Sequence, residues 1–215
     1  HLVFVPQADL APIVAGDDAK LQDEPETFSP LYLLLAAILL LAAAVAAIVS
    51  VHLIAILQGR GLSLVTAVAT GALFGPAQVA ARVLERVFGG RLHPVWTLVI
   101  SVGLTCAGLV LLGQPVEPAI IALALIIYGN GINSIAKGTV PLALFGPRFY
   151  ARIMGRLALP QLMAQALAPP LAALMMERAG SEIALDILAI LTLANCVAVV
   201  WLARMTHNAR HSAAQ

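Results

Sequence analysis

Three polar side chains share one helical face inside a long apolar stretch: Asn130, Asn133 and Lys137. Their spacing of i, i+3 and i+7 places them on a single face of a helix. A charged side chain inside a membrane span costs between about 2.5 and well over 10 kcal/mol unless it faces a cavity, finds a partner or extends to the interface. Two interpretations follow. The three residues line a polar path, or Lys137 extends toward the interface while the asparagines join neighbouring helices.

A second polar pair, Gln161 and Gln165, is spaced i, i+4 in a later apolar stretch, directly after Pro160. Side-chain amides can bind a polar substrate, but they also join helices within a membrane, typically by less than about 2 kcal/mol per hydrogen bond. His52 and Asn195 each stand alone in their stretches. A histidine can relay protons, and an isolated histidine or asparagine can equally form a hydrogen bond between helices.

Residue patterns of known enzyme classes are absent. The sequence contains no His-Glu-x-x-His, no Gly-x-Ser-Gly and no glycine loop ending in Gly-Lys-Ser/Thr. We therefore expect neither protease nor P-loop chemistry. The two cysteines, Cys106 and Cys196, have neither metal-ligand spacing nor a secreted disulfide pattern. The sequence predicts a protein that is not an enzyme and that uses no metal and no other cofactor.

The composition is that of a membrane protein. Of the 215 residues, 61% are hydrophobic and 11% are charged, and the mean hydropathy is +0.96. Soluble chains average about 45–50% apolar and about 25% charged residues. Helices that are apolar on every side are buried in lipid or in a very large core, and a chain of this length cannot build such a core. A net charge of +1 without a Lys/Arg cluster excludes a nucleic-acid-binding surface.

Apolar runs predict an all-α transmembrane bundle of six spans in residues 31–203. An acidic cytoplasmic tail (residues 1–30) precedes the bundle, and a short cytoplasmic tail (residues 204–215) follows it. Each run reaches the length of about 20 helical residues that crosses about 30 Å of hydrocarbon. The runs are Leu31–Leu57, Leu62–Leu84 with an interruption at Gly75-Pro76, Pro94–Gly113, Ala119–Phe145, Arg156–Met176 and Ile183–Ala203.

Basic residues near the ends of the runs predict that both termini are cytoplasmic. Lys and Arg concentrate in cytoplasmic loops of membrane proteins. Nine of them lie on the side of the termini and two lie on the other side, with Lys137 set aside inside a run. The nine are Lys20, Arg82, Arg86, Arg91, Arg148, Arg152, Arg156, Arg204 and Arg210, and the two are Arg60 and Arg178.

A five-residue segment, Ala72-Leu-Phe-Gly-Pro76, recurs as Ala143-Leu-Phe-Gly-Pro147. Transporters built from internal repeats can show faint sequence symmetry of this kind. The first copy lies within the second run and the other at the end of the fourth run, so the copies do not occupy equivalent positions. A chance recurrence in a chain rich in Ala, Leu and Gly is the favoured interpretation, and an internal repeat is the alternative.

Two stretches resemble the major facilitator superfamily of transporters. Arg82-Val-Leu-Glu-Arg-Val-Phe-Gly-Gly-Arg91 is similar to the cytoplasmic signature of that family. It departs from the signature in three ways. The acid is Glu85 instead of Asp, one extra residue precedes the glycine, and Ala81 stands where the signature has an upstream glycine. Tyr128-Gly-Asn-Gly-Ile-Asn-Ser-Ile-Ala-Lys-Gly138, continuing through Leu144 to Arg156, is similar to the tenth-helix, loop and eleventh-helix region of bacterial members. The resemblance covers about residues 31–203.

The resemblance implies that the chain is the C-terminal six-helix half, helices seven to twelve, of a secondary transporter in a bacterial inner membrane. Its partners would be the lipid bilayer, a small-molecule solute and a missing N-terminal six-helix half. In such transporters the solute binds near the bilayer midplane between the halves, which rock around it, and movement is coupled to an ion or a proton. Glu85, Arg86 and Arg91 would form a gating charge cluster or a solvated loop. The alternative is a self-contained six-span channel, small permease or oligomerising subunit.

Overall fold

All regular secondary structure in the described part of the chain is helical. The computed structural model describes residues 29–88, 94–114, 117–128, 132–180 and 182–213. For residues 84–88, 118, 132–134 and 208–213 it describes the backbone alone. The predicted acidic tail lies outside the described residues up to position 28. The regular elements are α1 (Pro30–Gly59), α2 (Leu64–Gly71), α3 (Phe74–Phe88), α4 (Pro94–Leu112), α5 (Pro118–Tyr128), α6 (Ile132–Ala179) and α7 (Glu182–Ala213).

Within the described ranges, five helical segments are long and apolar enough to cross a membrane, judged by length and composition. They are Pro30–Gly59, Leu64–Val83, Pro94–Leu112, Ile135–Ala179 and Glu182–His207, and Ala119–Tyr128 is a shorter apolar helix. This result confirms the prediction of an all-α protein with several membrane-length helices and is consistent with an integral membrane protein. The exact number of six spans stays a prediction, because the second and fourth predicted runs are each divided between two helices.

The second run divides earlier than its sequence suggests. Helix α2 ends at Gly71 and α3 begins at Phe74, so the interruption falls at Ala72 and Leu73 rather than at Gly75-Pro76. Pro76 instead lies in the first turn of α3. A proline is tolerated there because the first N–H groups of a helix have no intrahelical partner. The glycine–proline pair therefore belongs to the start of a helix, and the predicted position of the break was wrong.

Helix α6 consists of two segments that meet at Gly146, here named α6a (residues 132–145) and α6b (residues 147–179). Gly146 has φ 74° and ψ 169°, a conformation that favours glycine. A β-carbon on Gly138 would lie 3.7 Å from the Tyr150 hydroxyl, whereas a straight helix would separate residues 138 and 150 by about 18 Å. The chain therefore turns back sharply at Gly146, and helix resumes at Pro147, well before the predicted start of the fifth run.

The two copies of the recurring pentapeptide coincide with these two breaks. The first copy supplies the turn residues Ala72 and Leu73, and the second supplies Gly146. In both copies the proline lies in the first turn of the helix that follows. The copies thus share a local role in starting a helix, although the break occurs at different residues of the segment.

Two apolar clusters fill the interior and establish the direction of each helix. The lower cluster combines the beginnings of α1 and α4 with α6a, the start of α6b and the end of α7. Its buried residues are Leu35, Ile38, Leu39, Leu98, Val102, Ala136, Val140, Ile153, Leu157, Val199 and Leu202. The upper cluster combines the later parts of α1 and α4 with α2, α5, Ala172 of α6b and the beginning of α7. Helices α1, α4 and α6b therefore run in one direction and α7 in the other, as the alternating runs predicted.

Contacts at the two ends of the bundle agree with these directions. At the upper end, the Arg60 guanidinium donates hydrogen bonds to the Gly113 carbonyl at 3.0 Å and to the Gln114 carbonyl. These carbonyls lie at the C-terminal end of α4, where a cation is favourable. At the lower end, the rings of Tyr32 and Phe145 meet edge to face with centroids 6.5 Å apart.

The lower end should face the cytoplasm. A reporter enzyme that is active only in the periplasm should give no signal when fused at Gln215, and it should give a signal in the loop between Gly113 and Pro118. The physical reason is the excess of Lys and Arg at the lower end. Reporter activity in whole cells measures the result, and the reverse pattern would invert the orientation of the entire bundle.

Candidate functional site

Lys137 lies on α6a next to the residues that pack into the lower cluster. Its side chain is half-buried, and its neighbours Ala136 and Val140 are fully buried in the lower cluster. The sharp turn at Gly146 brings the Tyr150 hydroxyl back beside Gly138, the next residue of this helix. The phenol thus lies beside the residue that follows Lys137 within a candidate membrane span, where an ionisable group by default suggests a functional role.

The other two members of the predicted polar face are only partly covered by the structure. Asn133 belongs to the same helical segment as Lys137, and the structure describes its backbone alone. Asn130 lies outside the described residues. The shared face of Asn133 and Lys137 follows from the helix, and the inclusion of Asn130 stays a prediction.

The predicted amide pair of α6b splits into two different environments. Gln161 is half-buried, and its Nε2 donates a hydrogen bond to the Leu157 carbonyl of the same helix at 3.0 Å. Gln165 is exposed on the outside of the bundle. The candidate span that contains both residues is the least buried of the five. The Gln165 amide is therefore available to a group outside the described helices.

The predicted charge cluster after the second run is helical in part. Helix α3 continues to Phe88, so Glu85 and Arg86 lie in its last turns rather than in a loop. The structure describes their backbone alone, and Arg91 lies outside the described residues. The gating role of these three residues stays a prediction.

His52 joins two helices by a hydrogen bond. Its Nε2 lies 2.9 Å from the Pro169 carbonyl of α6b. A carbonyl oxygen can only accept, so Nε2 carries the hydrogen in this contact. Of the two interpretations of His52, the structure shows the helix-joining one.

Polar side chains are buried on α4 and α7, and those of α7 lie between its upper-cluster and its lower-cluster residues. Ser101, Thr192 and Asn195 are at most 3% exposed. The Thr192 hydroxyl and the Asn195 Oδ1 have no hydrogen-bond partner among the described residues. Leaving a buried polar group unsatisfied costs about 1–3 kcal/mol. Water or a polar ligand beside these two groups would supply the hydrogen bonds.

Sequence reasoning recognised Asn195 but missed Thr192. Thr192 and Asn195 are spaced i, i+3 in the sixth run, which is the same one-face signal that singled out Asn133 and Lys137. The signal was available, but a threonine in an apolar helix usually bonds a carbonyl of its own helix. Thr105 does so, since its hydroxyl donates to the Ser101 carbonyl at 3.0 Å.

Comparisons with known proteins leave the family open. No family model matches the chain, and neither a curated protein nor a solved structure matches it. The interpretation of the site therefore depends on the chemistry of its own residues.

Proposed function

We propose that the chain is the C-terminal six-helix half of a secondary transporter of the major facilitator type. It moves a small solute across a bacterial inner membrane by alternating access, coupled to an ion or a proton. The observation that carries the proposal is the exposed amide of Gln165 on the least buried of the membrane-length helices of the described residues.

Gln165 lies at a depth where an amide facing lipid is costly. The residue lies close to the middle of α6b, and a helix of membrane length places its middle near the bilayer centre. Moving an amide from water into an apolar medium without a hydrogen bond costs roughly 2–7 kcal/mol. A Gln165 side chain facing lipid would bear that cost, so we infer that this side of α6b faces water or polar groups. The half-buried Lys137 supports the same conclusion for α6a.

The distribution of burial supports a second helical body as the partner. The least buried candidate spans are the one that contains α6b and the one formed by α2 and α3. A missing N-terminal six-helix half that covers both would leave Gln165 in a crevice between two halves. Alternating access needs such a crevice, with polar residues near the midplane and helices that are interrupted. The breaks at Ala72–Leu73 and at Gly146 supply interruptions of this kind.

Cysteine accessibility tests the polar path directly. In a variant without native thiols (Cys106→Ser with Cys196→Ser), we expect Gln165→Cys in membranes to react with a water-soluble maleimide at least about tenfold faster than Leu167→Cys, because the thiolate forms in water. Leu167 is a matched control, since it is also exposed on α6b but lies about 200° around the helix. Positions 130, 133 and 137 form a second test set, with cysteines at Ile132 and Ile135 as controls on other faces.

The labelling pattern can contradict the proposal in two ways. Equal labelling at Gln165→Cys and Leu167→Cys would mean that no separate polar side exists on α6b. Absence of labelling at both positions would mean that lipid or protein covers this helix on both sides. In either case the transport path would not follow α6b.

A further inference from the structure

The fold brings together the only two cysteines of the chain, which lie on different helices and 90 positions apart in the sequence. The Cys196 thiol of α7 donates a hydrogen bond to the Val102 carbonyl of α4, with Sγ 3.8 Å from the oxygen. In an α-helix the carbonyl of residue 102 accepts the N–H of residue 106. The Cys196 sulfur therefore lies at the turn of α4 that carries Cys106, and the two side chains interact.

An open cavity along α7 reaches Cys196. It has a volume of about 410 Å³ and is lined by Cys196, Val197, Val200, Trp201 and Arg204. Both cysteines are half-buried and neither is in a disulfide. A small ion can thus reach the Cys196 sulfur from the surface along a mostly apolar wall that also carries the Arg204 guanidinium.

The ligand set restricts the kind of ion. Thiolate sulfur is a soft ligand that selects soft metals. Zinc in structural sites takes four ligands, and the described residues contain no group of three or more His, Cys, Asp or Glu side chains that could hold a metal. Two sulfur ligands alone suit the d10 cations that accept linear two-coordination, namely Cu(I), Ag(I) and Hg(II).

We propose that Cys106 and Cys196 together form a two-coordinate binding site for a soft d10 metal cation. This site is independent of the proposed solute path on α6. It also differs from the expectation that the chain has no metal site, since that expectation rested on local spacing of cysteines.

The binding step is a simple exchange of protons for metal. Each S–H bond breaks, each sulfur forms one bond to the metal, and two protons pass to the solvent, with no change in oxidation state. Hg(II) gives a neutral bis-thiolate, which an apolar interior tolerates best because no net charge is buried. Cu(I) and Ag(I) give a product of net charge −1, whose burial is less favourable.

Titration with mercuric chloride tests the proposal on the purified full chain in detergent under nitrogen. Denaturation followed by a chromogenic thiol reagent then counts the remaining thiols. We expect one equivalent of Hg(II) to remove both thiols, with the chain still monomeric by size-exclusion chromatography. An excess of a monothiol should strip the metal from Cys106→Ser and from Cys196→Ser at once, while the wild-type chain keeps it. Thr105→Val, which replaces a neighbouring hydroxyl on α4, should bind like the wild type.

Three outcomes would overturn the site. The endpoint could lie at two equivalents, which means that each thiol binds its own ion. The wild-type chain could lose the metal to the monothiol as fast as the single variants do. A metal-linked dimer on the column would mean that the two sulfurs bridge separate chains. None of these outcomes bears on the transporter proposal, because neither cysteine belongs to the proposed solute path.

Discussion

Replacing Gly108 with alanine should lower the melting temperature of the purified protein by about 2–12 °C, since overpacking of a filled interior costs about 1–3 kcal/mol. The added β-carbon would lie 2.6 Å from both the backbone nitrogen and the β-carbon of Tyr128. Tyr128 is the last residue of α5, so backbone of one helix would have to move away from another. Its ring also stacks on Phe74 of α3 with centroids 5.7 Å apart, and the shift would therefore reach a third helix.

Gly103 provides the matched control on the same helix. A β-carbon at this position would meet nothing within 4 Å. Alanine is favoured over glycine in a helix interior by about 1 kcal/mol, so Gly103→Ala should leave the melting temperature unchanged or raise it. Thermal unfolding in detergent, followed by circular dichroism, measures both variants. Equal melting temperatures for the two variants would show that α4 and α5 do not approach closely at Gly108.

Lys137→Met should abolish transport and leave membrane insertion and stability intact. A charged residue at the centre of a membrane helix costs at least about 2.5 kcal/mol on insertion scales, so removing it should ease insertion. Lys137 lies beside the buried stripe formed by Ala136 and Val140, and the apolar methionine does not disturb that packing. Activity is measured as rescue of the uptake or growth defect of a strain that lacks the protein, and stability is measured as the melting temperature.

Lys137→Met, compared with Lys137→Arg, separates the two interpretations of this residue. If the side chain only extends to the cytoplasmic interface, both Lys137→Arg and Lys137→Met should keep most of the activity. If the ammonium group lines the path, Lys137→Met should be inactive although it is expressed and folded. Full activity in Lys137→Met would remove Lys137 from the transport role, and loss of activity together with loss of stability would assign the residue to the fold.

The local sequence pattern was sufficient to predict an all-helical protein with long apolar helices, and the positions of most of these helices. Hydropathy sums over neighbouring residues, and a run of about 20 apolar residues has few conformations open to it besides a membrane helix. For this reason the first and third runs correspond closely to α1 and α4, and the sixth run lies within α7, which continues to Ala213. The alternating helix directions also followed from the order of the runs. Lys137 could be singled out because a charge inside such a run is conspicuous in any window of sequence.

Tertiary structure alone decided which faces meet and where the helices break. The break in the second run moved away from Pro76, because a proline is harmless in a first turn and packing selects the turn. Gln161 and Gln165 share a helical face in sequence, yet one bonds its own helix and the other faces outward. Cys106 with Cys196 and Gly108 with Tyr128 are pairs between helices. Helical periodicity gives the face on which each residue lies, but the rotation and depth at which two helices cross depend on packing along their whole length.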